Sequence, residues 1–140
     1  MKARGPEDGA YVLRLDRGER IVETLAAFCA REGVRSGSFT GLGTCRGPEL
    51  GFFDENSMSY RQRKLEGNFE ITALIGNVSV KDGRPFVHAH ITLGDPEFRA
   101  WAGHLQEAET AATCEIVLVL LPGALPRKHR PDSGLNLLEP

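Results

Sequence analysis

The sequence lacks any apolar run long enough to cross a bilayer. Its longest, Ile116 to Leu121, falls well short of the roughly 20 residues a spanning helix needs. The opening stretch MKARGPEDGA has no apolar centre of the kind a secretory signal requires. A soluble, cytoplasmic protein that does not partner a membrane is expected. Cysteine is scarce and odd in number: Cys29, Cys45 and Cys114 stand far apart, with no CxxC pair. That pattern favours reduced, mostly buried thiols over a disulfide framework or a zinc ribbon. A basic surplus is also absent. Seventeen Lys and Arg face 19 Asp and Glu, for a net charge of −2, so global charge gives no support to nucleic-acid binding. Repeats, low-complexity tracts and linkers are missing too, and residues 1–140 read as a single domain.

What is present reads mostly as strand. Ala10 to Asp16 alternates apolar and polar residues. Ile21, Val22, Leu25, Phe28 and Cys29 then recur at helical spacing, and Gly33 supplies the stop, predicting one main helix over Glu19 to Glu32. Short strands follow at Gly37 to Leu42, Leu50 to Phe53 and Met58 to Leu65, with a longer one at Phe69 to Val80. Asp82-Gly83 marks a tight hairpin turn into a return strand from Pro85 to about Leu93. Cys114 to Leu121 is apolar throughout, as in a strand covered on both faces. The class implied is α+β, a mostly antiparallel sheet packed against one helix.

Three of the four histidines fall within FVHAHITLGDPEFRAWAGHL. His88 and His90, two apart in a strand, share one face and can converge on one ion. His104 is the nearest third ligand. Asp95-Pro96-Glu97 has the residues of a helix start, whereas Gly103 argues against a helix reaching His104. A helix continued through Phe98, Trp101, Ala102 and Leu105, or a one-turn helix followed by an extended AGHL segment, brings His104 back toward the strand. Three imidazoles leave one coordination position open, the pattern of a catalytic or exchangeable zinc site. Imidazole also suits copper, nickel and iron. The competing reading makes the histidines packed polar residues and nothing more.

Glu70 and Glu115 lie in predicted strands among apolar neighbours. Either is a general base or ligand beside a metal, or a buried acid paired with an arginine or an amide. The basic clusters YRQRK (residues 60–64) and RKHR (residues 127–130) offer phosphate contacts, or else charged strand edges. His129 belongs to the second cluster and is not taken as a ligand. Gly83-Arg84-Pro85 resembles a minor-groove hook core, but the hairpin turn accounts for it.

These motifs, read in order, resemble the plants-and-prokaryotes conserved domain, the PPC domain, in its stand-alone bacterial form. The matching stretches are Gly18-Glu19, GLGTCRGPELGFFD, Phe69-Glu70-Ile71 with Gly76-Asn77, DGRPFVHAHITL, AGHL, TCEIVLVL and the closing set Arg130, Asp132, Gly134, Leu135, Leu137 and Leu138. Two departures stand out: Ala102 replaces a glycine before Gly103-His104, and QEAETAA is more polar and helix-prone than is usual. The resemblance implies a homotrimer with metal ligands at His88, His90 and His104. It also implies a fold similar to acetolactate decarboxylase. The expectation is a DNA-binding or regulatory protein that recruits a nucleic acid or protein partner. The alternative is a metal-dependent enzyme acting on a small carbonyl- or carboxylate-containing molecule, with Glu70 or Glu115 as acid or base. Fold likeness alone is a weak warrant for either.

Overall fold

The computed structural model describes all residues 1–140. Nine strands and one helix follow in the order β1 (Lys2–Glu7), β2 (Ala10–Asp16), α1 (Ile21–Glu32), β3 (Gly37–Asp54), β4 (Ser59–Lys64), β5 (Asn68–Lys81), β6 (Arg84–Gly94), β7 (Ala100–Leu120), β8 (Arg127–Arg130) and β9 (Leu135–Leu138). Seven strands form one antiparallel sheet in the order β1-β2-β7-β6-β5-β3-β4. An additional β3–β7 pairing ties β3, β5, β6 and β7 into a closed ring. β8 and β9 form a separate hairpin.

Several strands run longer than the sequence suggests. The two short strands read at Gly37 to Leu42 and Leu50 to Phe53 are one strand, β3, bent at irregularities near Gly43 and between Arg46 and Glu49. Gly43 sits at φ 146, and a Cβ there would lie 2.1 Å from the Thr113 carbonyl oxygen, so a glycine is required where the strands cross. The final core strand begins at Ala100, not Cys114. QEAETAA is therefore strand despite its helix-prone composition, because pairing with β3 on the sheet overrides local propensity.

The helix-start reading at Asp95 is corrected. Asp95 does act as a cap, accepting bonds from the N–H groups of Glu97 (3.0 Å) and Arg99 (2.9 Å). The chain then reverses through Phe98 at φ 61 and pairs back onto β6, with Leu93 opposite Trp101. The same side-chain chemistry that opens a helix here closes a hairpin loop.

One face of the sheet is covered by α1. Ile21, Leu25, Phe28 and Cys29 are buried against Leu13, Leu15, Leu74, Ile91, Ile116 and Leu118. Tyr11 meets Phe28 edge-on at 5.0 Å. Arg20, at the helix N-cap, gives no side-chain cap bond. The buried Glu107 of β7 supplies it instead, accepting from the N–H groups of Val22 (2.9 Å) and Glu23 (3.1 Å). The three cysteines are free and buried, as expected. Burial pushes their thiols up, to about 11 for Cys29 and about 12 for Cys45 and Cys114.

The opposite face is open. In register across five strands stand His104, His90, Ile75, Thr40, Val117 and Val12, each directly opposite the next. Directly opposed residues share a face. Ile75 is 55% exposed, Val12 54% and Val117 44%. The chain thus covers only one side of the apolar strand expected to be covered on both. No helix is long and apolar enough to cross a membrane.

Candidate metal centre

Period two places His88 and His90 side by side on β6, and cross-strand register places His104 of β7 opposite His90. Ring centroids are 5.2 Å apart for His88 and His90, 5.1 Å for His88 and His104, and 5.5 Å for His90 and His104. One ligating nitrogen from each lies within 4.8 Å of the others. Zinc–imidazole bonds of about 2.0–2.1 Å need only a modest inward rotation of the rings. Close backbone approach holds the pair in place. A Cβ on Gly76 would sit 2.2 Å from the His88 carbonyl oxygen and 2.3 Å from the Phe39 ring.

Two of the donors, His88 and His104, are held in the protonation state a metal requires. Burial, then the charges of His104, Arg127 and His90, push His88 down to about 4. Burial and His90 also lower His104. Both are neutral near pH 7, as ligating imidazoles must be. The Nδ1 of His104 is buried without a hydrogen-bond partner, a cost that a metal or its ligand would relieve. An all-imidazole set with one side open fits a divalent ion that keeps an exchangeable position.

Beside the histidines is a pocket of about 250 Å³, lined by Tyr60, Phe86, Gln106, Arg127, Leu135 and Leu137 among others. The β8–β9 hairpin forms one wall. Its entry is fixed by Val80 N–H donating to the Leu125 carbonyl at 2.8 Å. The RKHR cluster is not uniform in the structure. Arg127 turns inward and only Lys128, His129 and Arg130 are exposed. Nothing in the local sequence separates Arg127 from its neighbours, since its direction depends on where the hairpin docks. Tyr60 was likewise missed. It stacks toward His104 at 5.2 Å.

Glu70 and Glu115 are both exposed, which corrects their reading as buried acids. Glu70 pairs across from Gly94, and Glu115 across from Arg14 and Leu42. Neither belongs to the histidine group or lines the adjoining pocket. The basic clusters are largely neutralised within the chain. Arg61 pairs with Asp54, Lys64 with Glu49 at 3.1 Å, and Arg63 lies over Trp101 at 5.0 Å. Arg130 pairs with Glu139 at 2.9 Å.

Residues 3–122 match the Plants and Prokaryotes Conserved (PCC) domain. The chain belongs to this family. A protein from Bacteroides thetaiotaomicron, named provisionally for DNA binding, matches at 30% identity over 99% of this chain and 96% of that one, with a TM-score of 0.95. A metal-containing protein from Archaeoglobus fulgidus matches at 33% identity over 94% and 93%, with a TM-score of 0.86. A protein from Staphylococcus aureus similar to alpha-acetolactate decarboxylase shares the fold at 14% identity. It covers 90% of this chain and 56% of that one, with a TM-score of 0.57. Among curated proteins, none matches.

Proposed function

We propose that this PCC domain is a metal-dependent binding protein of regulatory type. In this reading it is a homotrimer whose His88, His90 and His104 hold one zinc ion and leave a position open to a ligand. The observation that carries it is the convergence of three imidazoles, one with an orphaned buried nitrogen, beside an accessible pocket. The metal-containing relative supports it. A bound ion would supply Lewis acidity to an oxygen donor in the open position. The chain itself keeps His88 and His104 in their neutral form, and lines the approach with Tyr60 and Arg127. No carboxylate of the chain adjoins the histidines to serve as a base, so binding is favoured over turnover. Metal content measured by mass spectrometry, on protein purified without tag or chelator, tests this reading. Near-stoichiometric zinc lost in His88→Ala/His90→Ala supports it, and metal-free wild type that stays empty after zinc is added back overturns it.

Assembly has its own support. The open row Ile75, Val117 and Val12 is an exposed apolar face across β5, β7 and β2, and β7 is the strand whose composition calls for cover on both sides. The row ends at His90, so a neighbouring copy seated there would abut the metal centre. Light scattering at the mass of a trimer, falling to that of a monomer in Val117→Lys, is the expected outcome.

A second reading, DNA binding, has the relative's provisional name in its favour. The internal pairing of Arg61, Lys64 and Arg130 weighs against it. Phosphate contacts give affinity that falls steeply with salt. Duplex titrations across a salt series decide, and binding with such a slope would restore this reading.

A further inference from the structure

Arg127 is the cation of the histidine pocket, and it has no anionic partner. Its Nε donates to Ser79 Oγ at 2.7 Å, its Nη1 to the Asn136 carbonyl at 2.8 Å, and its Nη2 to Asn77 Oδ1 at 2.8 Å. All three acceptors are neutral. The guanidinium lies over the Phe86 ring at 5.0 Å, and no carboxylate lines the pocket. A half-buried cation without a counter-charge is costly. Evolution commonly solves this with an acid, and the chain provides none here.

The guanidinium's position against His88 sharpens the point. Nη2 lies 3.4 Å from His88 Nδ1. If His88 gives Nε2 to a metal, Nδ1 carries the proton and two donors face each other. If it gives Nδ1, the guanidinium stands beside a dication. In both arrangements the missing partner is an anion.

We infer that this pocket binds a small carboxylate, gripped by Arg127, with a second oxygen of the ligand on the histidine side. The inference rests on the metal-binding reading above. A guanidinium has five N–H groups. Three are committed to those neutral acceptors, which leaves one on each terminal nitrogen, that of Nη2 on the His88 side. Those two match the two oxygens of a planar carboxylate. The same fork can also meet a phosphate, and the titrations below separate the two. The volume of about 250 Å³ lies below the roughly 300–1,000 Å³ of drug-sized sites, so the occupant is a small metabolite. Phe86, Leu135 and Leu137 offer apolar walls to a short alkyl group, and Tyr60 and Gln106 offer polar contacts. A 2-oxo or 2-hydroxy acid has this combination.

The test loads the protein with cobalt(II), whose visible absorption reports the ligand in the open position, and titrates pyruvate against its neutral analogue pyruvamide. Pyruvate is expected to change the spectrum saturably, with pyruvamide weaker by about tenfold or more. Arg127→Met is expected to weaken pyruvate by a similar factor at unchanged metal stoichiometry. Should that variant fail to fold, the wild-type comparison of the two probes decides alone. Equal responses to both probes, or no response from cobalt-loaded protein, would overturn the inference and leave the metal reading intact. A stronger response to inorganic phosphate than to pyruvate would overturn the carboxylate assignment. Failure to take up cobalt would overturn the metal reading, and this inference with it.

Discussion

Two polar centres flank the start of β7, the Asp95 loop just before it and His104 within its first residues, and they are finished to different degrees. At the Asp95 loop the carboxylate accepts from the N–H groups of Glu97 and Arg99, from Arg99 Nε at 2.8 Å and from Trp101 Nε1 at 3.1 Å. Its oxygens are fully used. At the histidine centre, His104 Nδ1 has no partner and Arg127 has no counter-charge. Buried polar groups that are satisfied within the chain hold structure. Groups that the chain leaves unsatisfied await something from outside it.

The largest effect separating the two centres is expected from His88→Ala/His90→Ala. Metal content should fall from near stoichiometric to background by mass spectrometry, with metal-free stability changed by less than about 1 kcal/mol. Glu107→Ala should do the reverse. It strips acceptors from part-buried N–H groups at the start of α1 and should cost about 1–3 kcal/mol in denaturant unfolding, at unchanged metal content. A smaller and pH-dependent effect belongs to Asp95. Burial alone would raise its carboxyl, but the Arg99 N–H, Trp101 and the Arg99 guanidinium outweigh it and hold it down at about 2. A depressed folded-state value gives stability that is present above the ordinary value of 3.8 and lost as pH falls toward 2. Acid unfolding of Asp95→Asn should lack that limb, with the neutral-pH midpoint lower by several degrees. Least of all, Glu70→Gln and Glu115→Gln should leave metal content unchanged and stability within about 0.5 kcal/mol, since both are exposed and outside the site. A loss of metal in either would return the acids to the centre.

The parts of this comparison that depend on local chemistry were legible in the sequence. Period two put His88 and His90 on one face, helical spacing located α1, and Asp82-Gly83 forms the hairpin with φ of 51 and 76. His104 joins them through cross-strand register with His90, which no spacing along the chain specifies. The Asp95 loop misled because a capping aspartate serves helix starts and turns alike. Arg127 was hidden for a different reason. Its role depends on where the β8–β9 hairpin docks, and its basic neighbours Lys128, His129 and Arg130 are exposed. Composition did carry one longer-range fact: CEIVLVLL asks for cover on both faces, and a single chain provides one.

Thermal unfolding of chelator-treated protein, with and without added zinc, is the most direct test of the unfinished centre. A ligand that binds only the folded state stabilises it by about 4 kcal/mol when present at a thousandfold above its dissociation constant. Zinc should raise the midpoint of wild type and Asp95→Asn alike and leave His104→Ala unmoved. An equal rise in all three, or none in wild type, would contradict a metal site at His88, His90 and His104.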